Sequence, residues 1–122
     1  MPVFDANVVL RYLLNDHPEM SSMARDMVLA GGAVTPEVLA EVVYVLKGVY
    51  RVERTDIAKA LATFVLETET SNKEAVLYAL RLFGKTSLDF VDCLLAGYHH
   101  IMGLEIKTFD KKLQKVLDSD QL

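Results

Sequence analysis

The feature that most limits the fold is how the chain begins. The apolar pair Val3-Phe4 is cut off at Asp5, and from Asn7 a new apolar run proceeds with helical spacing. A buried strand feeding a helix reads this way, with a carboxylate at the strand's C-terminal end. In open α/β sheets that end of the strands borders ligand crevices. Alone, Asp5 reads more readily as a cap or turn residue. The arrangement returns late in the chain. Across residues 104–109, Leu104, Ile106 and Thr108 alternate against Glu105 and Lys107, which predicts a strand, and it too ends in an acid, Asp110, before a short terminal helix.

Between these ends the pattern is mostly helical. A first helix is expected over 7–14. A second runs to about residue 30, with Asp16 as cap, Glu19 three residues on as in a capping box, and Gly31-Gly32 as the stop. Residues 33–35 fit a brief buried strand. Thr35 then caps a third helix with Pro36 at its first position. In it Val38, Leu39, Val42, Val43, Val45 and Leu46 form one broad apolar face, and Glu41 lies at the rim. Thr55 is the expected cap of a fourth helix, with Ile57, Leu61, Phe64 and Val65 inward. Ser71 to Glu74 form a second capping-box pattern, opening a fifth with Val76, Leu77, Leu80 and Phe83 inward. Residues 88–102 predict a sixth, burying Phe90, Val91, Leu94, Leu95, Tyr98 and Ile101, with Asp89 and Asp92 on one face and Gly103 at its end.

Composition removes several classes. At 122 residues and 52% hydrophobic, the chain is long and apolar enough for one core and too apolar for disorder. No apolar run approaches the roughly 18 residues of a membrane span, and the start does not read as a secretory signal. The single cysteine, Cys93, has no internal partner, so a reducing, cytoplasmic setting is expected. Seventeen acids against thirteen bases give a net charge of −4, which argues against nucleic-acid binding by bulk positive charge. It leaves open phosphate binding through metal ions.

No Gly-rich phosphate loop, GxSxG or Cys–His pair is present. The adjacent His99 and His100 project about 100° apart on a helix and do not chelate together easily. The remaining chemistry is carboxylate: Asp5 and Asp110 at strand ends, Glu41 on a helix rim, Asp92 near a helix start. Clustered acids repel and raise one another's pKa unless a cation joins them. An all-oxygen donor set points to hard ions, Mg²⁺ or Mn²⁺.

The phrases VFDANVVLRYLLND, TPEVLAEVVYVLKGVY and LDFVDCLLAGYHHIMGLEIKTFDKKL closely resemble the PIN-domain ribonucleases, and within them the VapC-type toxins of toxin–antitoxin pairs. The family's motif acids fall on Asp5 (with Asn7 in an Asp-x-Asn setting), Glu41, Asp92 and Asp110, with Thr108 as the hydroxyl residue before the last acid. Asp89 is an extra carboxylate. The resemblance implies one PIN-like domain over residues 1–122, three-layer α/β/α, with a short, mostly parallel central sheet of about four strands. It implies a Mg²⁺- or Mn²⁺-dependent endoribonuclease with those four acids as catalytic metal ligands, a cognate antitoxin and a homodimer. Arg11, Lys47, Arg51, Arg54, Lys111, Lys112 and Lys115 are candidate RNA contacts, with Tyr44 and Tyr50 as stacking surfaces. Two other readings stay open: a PIN-like module that binds RNA or protein without catalysis, and a phosphohydrolase with Asp5 as covalent nucleophile. Asn7 stands where such a phosphohydrolase usually has a second Asp.

Overall fold

Four of the seven helices among the described residues begin where a side chain accepts from a backbone N–H three residues on. The computed structural model describes residues 1–119. In it Asp5 Oδ1 accepts from Val8 N–H at 3.0 Å, Thr35 Oγ1 from Val38 N–H at 3.2 Å, and Asp110 Oδ1 from Leu113 N–H at 3.0 Å. Each such cap is worth about 1 kcal/mol. They open α1 (Ala6–Leu14), α3 (Pro36–Gly48) and α7 (Lys111–Leu117). The second helix, α2 (Pro18–Ala30), is capped by His17, whose Nδ1 accepts from Met20 N–H. Asp16, the expected cap, instead pairs with Arg11 at 2.9 Å. Helix α4 (Arg54–Glu67) has Glu53 at its cap position, two residues ahead of the expected Thr55, and α5 (Lys73–Lys85) starts after a left-handed Asn72 with no side-chain cap. Helix α6 (Phe90–Met102) follows Asp89 and stops at a left-handed Gly103.

The expected three-layer α/β/α architecture with a central sheet of about four strands is not what forms. Among the described residues there are seven helices and no strand. What remains of a sheet is two isolated parallel bridges, Val3 with Ala33 and Ala33 with Glu69. Phe4 N–H donates to Ala33 O at 2.8 Å and Val34 N–H to Glu69 O at 2.9 Å. The reason is length. Val3-Phe4 is ended by the cap at Asp5, Ala33-Val34 lies between Gly32 and the Thr35 cap, and Glu69 follows α4 closely, so each segment has room for one pairing step. Residues 104–109 join no ladder, and Phe109 is fully exposed. Leu104 O is bound instead by the His99 ring at 2.8 Å.

The core is helix packed on helix. Phe64, Phe83, Leu39, Ile57, Leu61 and Leu80 are its largest fully buried side chains. The stripe Ile57, Leu61, Phe64, Val65 is wholly inaccessible, as its spacing predicts. In α6 the expected face is rotated. Cys93 and Ala96 are buried, while Val91 is 55% exposed and Ile101 44%. Gly97 sets that orientation: a Cβ there would stand 2.5 Å from the Ala75 carbonyl oxygen, so the backbones of α5 and α6 touch directly.

Arg54 ties three elements together. Its Nε donates to Phe83 O at 2.9 Å, its Nη2 donates to Leu88 O, and its guanidinium lies 3.7 Å from the Phe83 ring centroid. Burial lowers its pKa, with Cys93 and Asp89 acting in the opposite sense. The segment leading into α6 is thereby fastened to the ends of α4 and α5.

The Cys93 thiol is fully buried, and burial is the first cause that pushes its pKa up to about 12. Thiolate is therefore scarce at neutral pH and out of reach. A thiol-reactive disulfide reagent at pH 8 is expected to label the native protein only as fast as it opens, and the denatured chain at once. Rapid labelling of the native protein would contradict this burial.

Candidate functional site

The start of α6 carries a carboxylate that its surroundings disfavour. Asp92, in the first turn, has its carboxyl held above the usual carboxylate range, first by burial, then by Asp110 and by Asp89. Those two neighbours reach it by different routes. Asp89 precedes α6 by one residue, and Asp110 caps α7, which packs on α6. Asp110 is oriented at both ends: Oδ1 accepts from Leu113 N–H, and its own N–H donates to Thr108 Oγ1 at 3.0 Å. That second bond is the use found here for the hydroxyl before the last acid.

The local fold makes this charge tolerable without removing it. Asp5, Asp89 and Asp110 stand at helix N-caps and Asp92 in a first turn, where the helix dipole favours an anion by roughly 0.3–1 kcal/mol each. Among the described residues no Lys or Arg forms an ion pair with any of these acids or with Glu41; the two ion pairs present are Arg11–Asp16 and Lys107–Glu105.

Asp5 keeps the cap geometry, and its partner is the Val8 backbone and not the Asn7 side chain. Asn7 faces a small cleft with Arg11 and the α2 residues Met20, Met23 and Met27. Glu41 is exposed on α3. The groups acting on Asp92 are Asp110 and Asp89, with neither Asp5 nor Glu41 among them. Among the described residues no group of three or more His, Cys, Asp or Glu side chains stands close enough to hold a metal ion. The structure thus couples Asp92 to Asp110 and to Asp89.

Asp89 and Asp92 open onto a cleft of about 450 Å³ between α3 and α6, whose other wall carries Tyr44 and Lys47. The Tyr44 ring is 77% exposed, so a flat aromatic face stands beside the acids. Lys47 supplies a positive charge on the same wall. Of the arginines singled out in the sequence, Arg11 is engaged away from this cleft, while Arg54 lines it with its guanidinium tied down. Arg11 donates to Asp16 at 3.0 Å and to the Tyr50 hydroxyl at 3.1 Å, and Arg54 is held by two carbonyls.

The donor set fits a hard divalent ion in kind. All five acids offer oxygen alone, none is neutralised by a side-chain cation, and Asp92 is penalised in the absence of one.

The family model described as PIN domain matches residues 3–118. A protein named VapC ribonuclease, from Aquifex aeolicus (strain VF5), is 28% identical over 125 residues, covering 95% of this chain and 92% of its own length. No solved structure gives a significant match.

Proposed function

The chain belongs to the PIN-domain family, and on that premise we propose that it is a metal-dependent endoribonuclease, the toxin of a toxin–antitoxin pair. The observation that carries the reading is Asp92: a partly buried carboxyl, pushed up by burial and by two neighbouring acids, with no cation paired to it. The similarity to a VapC ribonuclease over nearly the whole chain supports the same conclusion.

Asp5, Glu41, Asp92 and Asp110 would hold Mg²⁺ or Mn²⁺. Such an ion, when bound, would lower the pKa of a water and offset charge on the phosphodiester. The chain supplies position. The caps at Val8 and Leu113 fix one oxygen of Asp5 and one of Asp110, leaving the second oxygen of each for a ligand. Glu41, exposed and acidic, serves as a ligand or takes the proton from the attacking water. Tyr44 offers a stacking face for a base and Lys47 a phosphate contact in the cleft beside Asp92. RNA, a cognate antitoxin and a second copy of the chain are its partners in the cytoplasm.

The test is cleavage of labelled RNA with Mg²⁺ or Mn²⁺ added and then chelated, with wild type and Asp5→Asn. Cutting is expected to require the ion, and the Asn variant to lose at least 100-fold. Equal cutting by the variant, or undiminished cutting in chelator, overturns the proposal. A neighbouring reading frame for a short DNA-binding protein is the genetic counterpart of the toxin assignment.

A further inference from the structure

The net charge of −4 conceals a local reversal. Between the last turn of α5, the segment Thr86–Leu88 and helix α7 lies an open cleft of about 470 Å³. Lys85, Lys112 and Lys115 line it, and no acid does. None of the three lysines is in an ion pair among the described residues. Lys112 Nζ donates to Ser87 Oγ at 2.6 Å, which ties α7 to the approach to α6. The floor is apolar, formed by Leu82, Leu88 and Val116. An apolar floor of this volume under a cationic rim suits a flat ring with phosphate attached.

We propose that this cleft is a nucleotide subsite for single-stranded RNA, seating one base on the apolar floor and the flanking phosphates on Lys85, Lys112 and Lys115. This rests on the reading of the chain as an RNA-cleaving enzyme. Its position favours RNA over an acidic peptide. Leu88 immediately precedes Asp89, and Lys112 follows Asp110 by two residues, so the cleft adjoins the coupled acids along both segments. The cleft holding Tyr44 and Lys47 takes up at Asp89, where this one ends at Leu88. A strand seated in both would pass Asp89 and Asp92, which line the second cleft. Lys85 enters only through this juxtaposition, since in the sequence it is one more basic residue at a helix end.

The test uses the whole chain, with Lys85→Ala, Lys112→Ala and Lys115→Ala combined. All three side chains are exposed, so the triple variant is expected to melt with the wild type. Binding of a labelled 12-nucleotide single-stranded RNA is followed by anisotropy over a salt series without divalent ions, and its cleavage is followed with Mg²⁺. The expected result is at least a tenfold loss of affinity and a slope of log K against log salt shallower by about 2, at roughly 0.7 per phosphate contact. Lys59→Ala, which removes one positive charge outside the cleft, should change affinity less than twofold. If the triple variant binds and cuts as wild type does, the subsite is overturned and the nuclease reading survives. If wild type binds through these lysines and cuts nothing, the subsite stands and the nuclease reading falls. If wild type binds no RNA but takes up an oligo-glutamate peptide, the cleft belongs to an acidic partner and the subsite is overturned.

Discussion

Asp92→Asn is expected to abolish RNA cleavage, by at least 100-fold, while leaving the metal-free protein as stable as wild type or more so. The two effects share one cause. A carboxyl whose pKa is raised in the folded state weakens the fold when ionised. The penalty is present in full above the folded-state pKa and gone below the unfolded one. At neutral pH Asp92 pays it, through burial and through Asp110 and Asp89. Asn keeps the shape and deletes the charge, so the metal-free melting temperature should hold or rise. Mg²⁺ should then raise the melting temperature of wild type and leave the variant nearly unmoved, because a ligand stabilises only the state that binds it. Thermal melts with and without Mg²⁺, beside a cleavage assay, read both effects. A variant that cuts normally removes Asp92 from the site. A variant that melts well below wild type without metal means the carboxylate is a structural support.

Gly97→Val is expected to cause the largest loss of stability. The first added carbon would meet the Ala75 carbonyl oxygen at 2.5 Å and its carbon at 3.3 Å, and both belong to the backbone of α5. A helix backbone cannot rotate out of the way as a side chain can, so α5 and α6 must separate. Overpacking of this kind costs about 3 kcal/mol, at the upper end of its usual range, and the melting temperature should fall on the order of 10 °C. Gly48→Ala is the contrast. It lies within α3 with open space around it, and should be neutral or slightly stabilising. If Gly97→Val melts with the wild type, the close approach of the two helices is refuted.

Thr35-Pro36 and Asp110 announced their helices because a cap involves only the next three residues. Asp16 was the wrong acceptor for the same reason: two adjacent residues could each cap, and the choice fell to His17 once Asp16 had found Arg11. The α4 stripe was read correctly, whereas in α6 Val91 and Ile101 are open and Cys93 is closed. Helical spacing shows that a face exists. Which stripe points inward is fixed by the partner, here by Gly97 against Ala75.

By itself the sequence determined the seven helix-forming stretches, the all-oxygen character of the acids and the family they signal. Periods, caps and donor chemistry are carried by neighbouring residues. The tertiary structure alone decided that the short segments around Val3, Ala33 and Glu69 stop at single bridges, and that residues 104–109 join no ladder among the described residues. It also decided that Asp110, far along the chain, presses on Asp92, while Asp5, where the reading began, remains a cap with one free oxygen. Strand pairing and charge coupling are contacts between distant residues, and no local pattern in the chain states which of them will close.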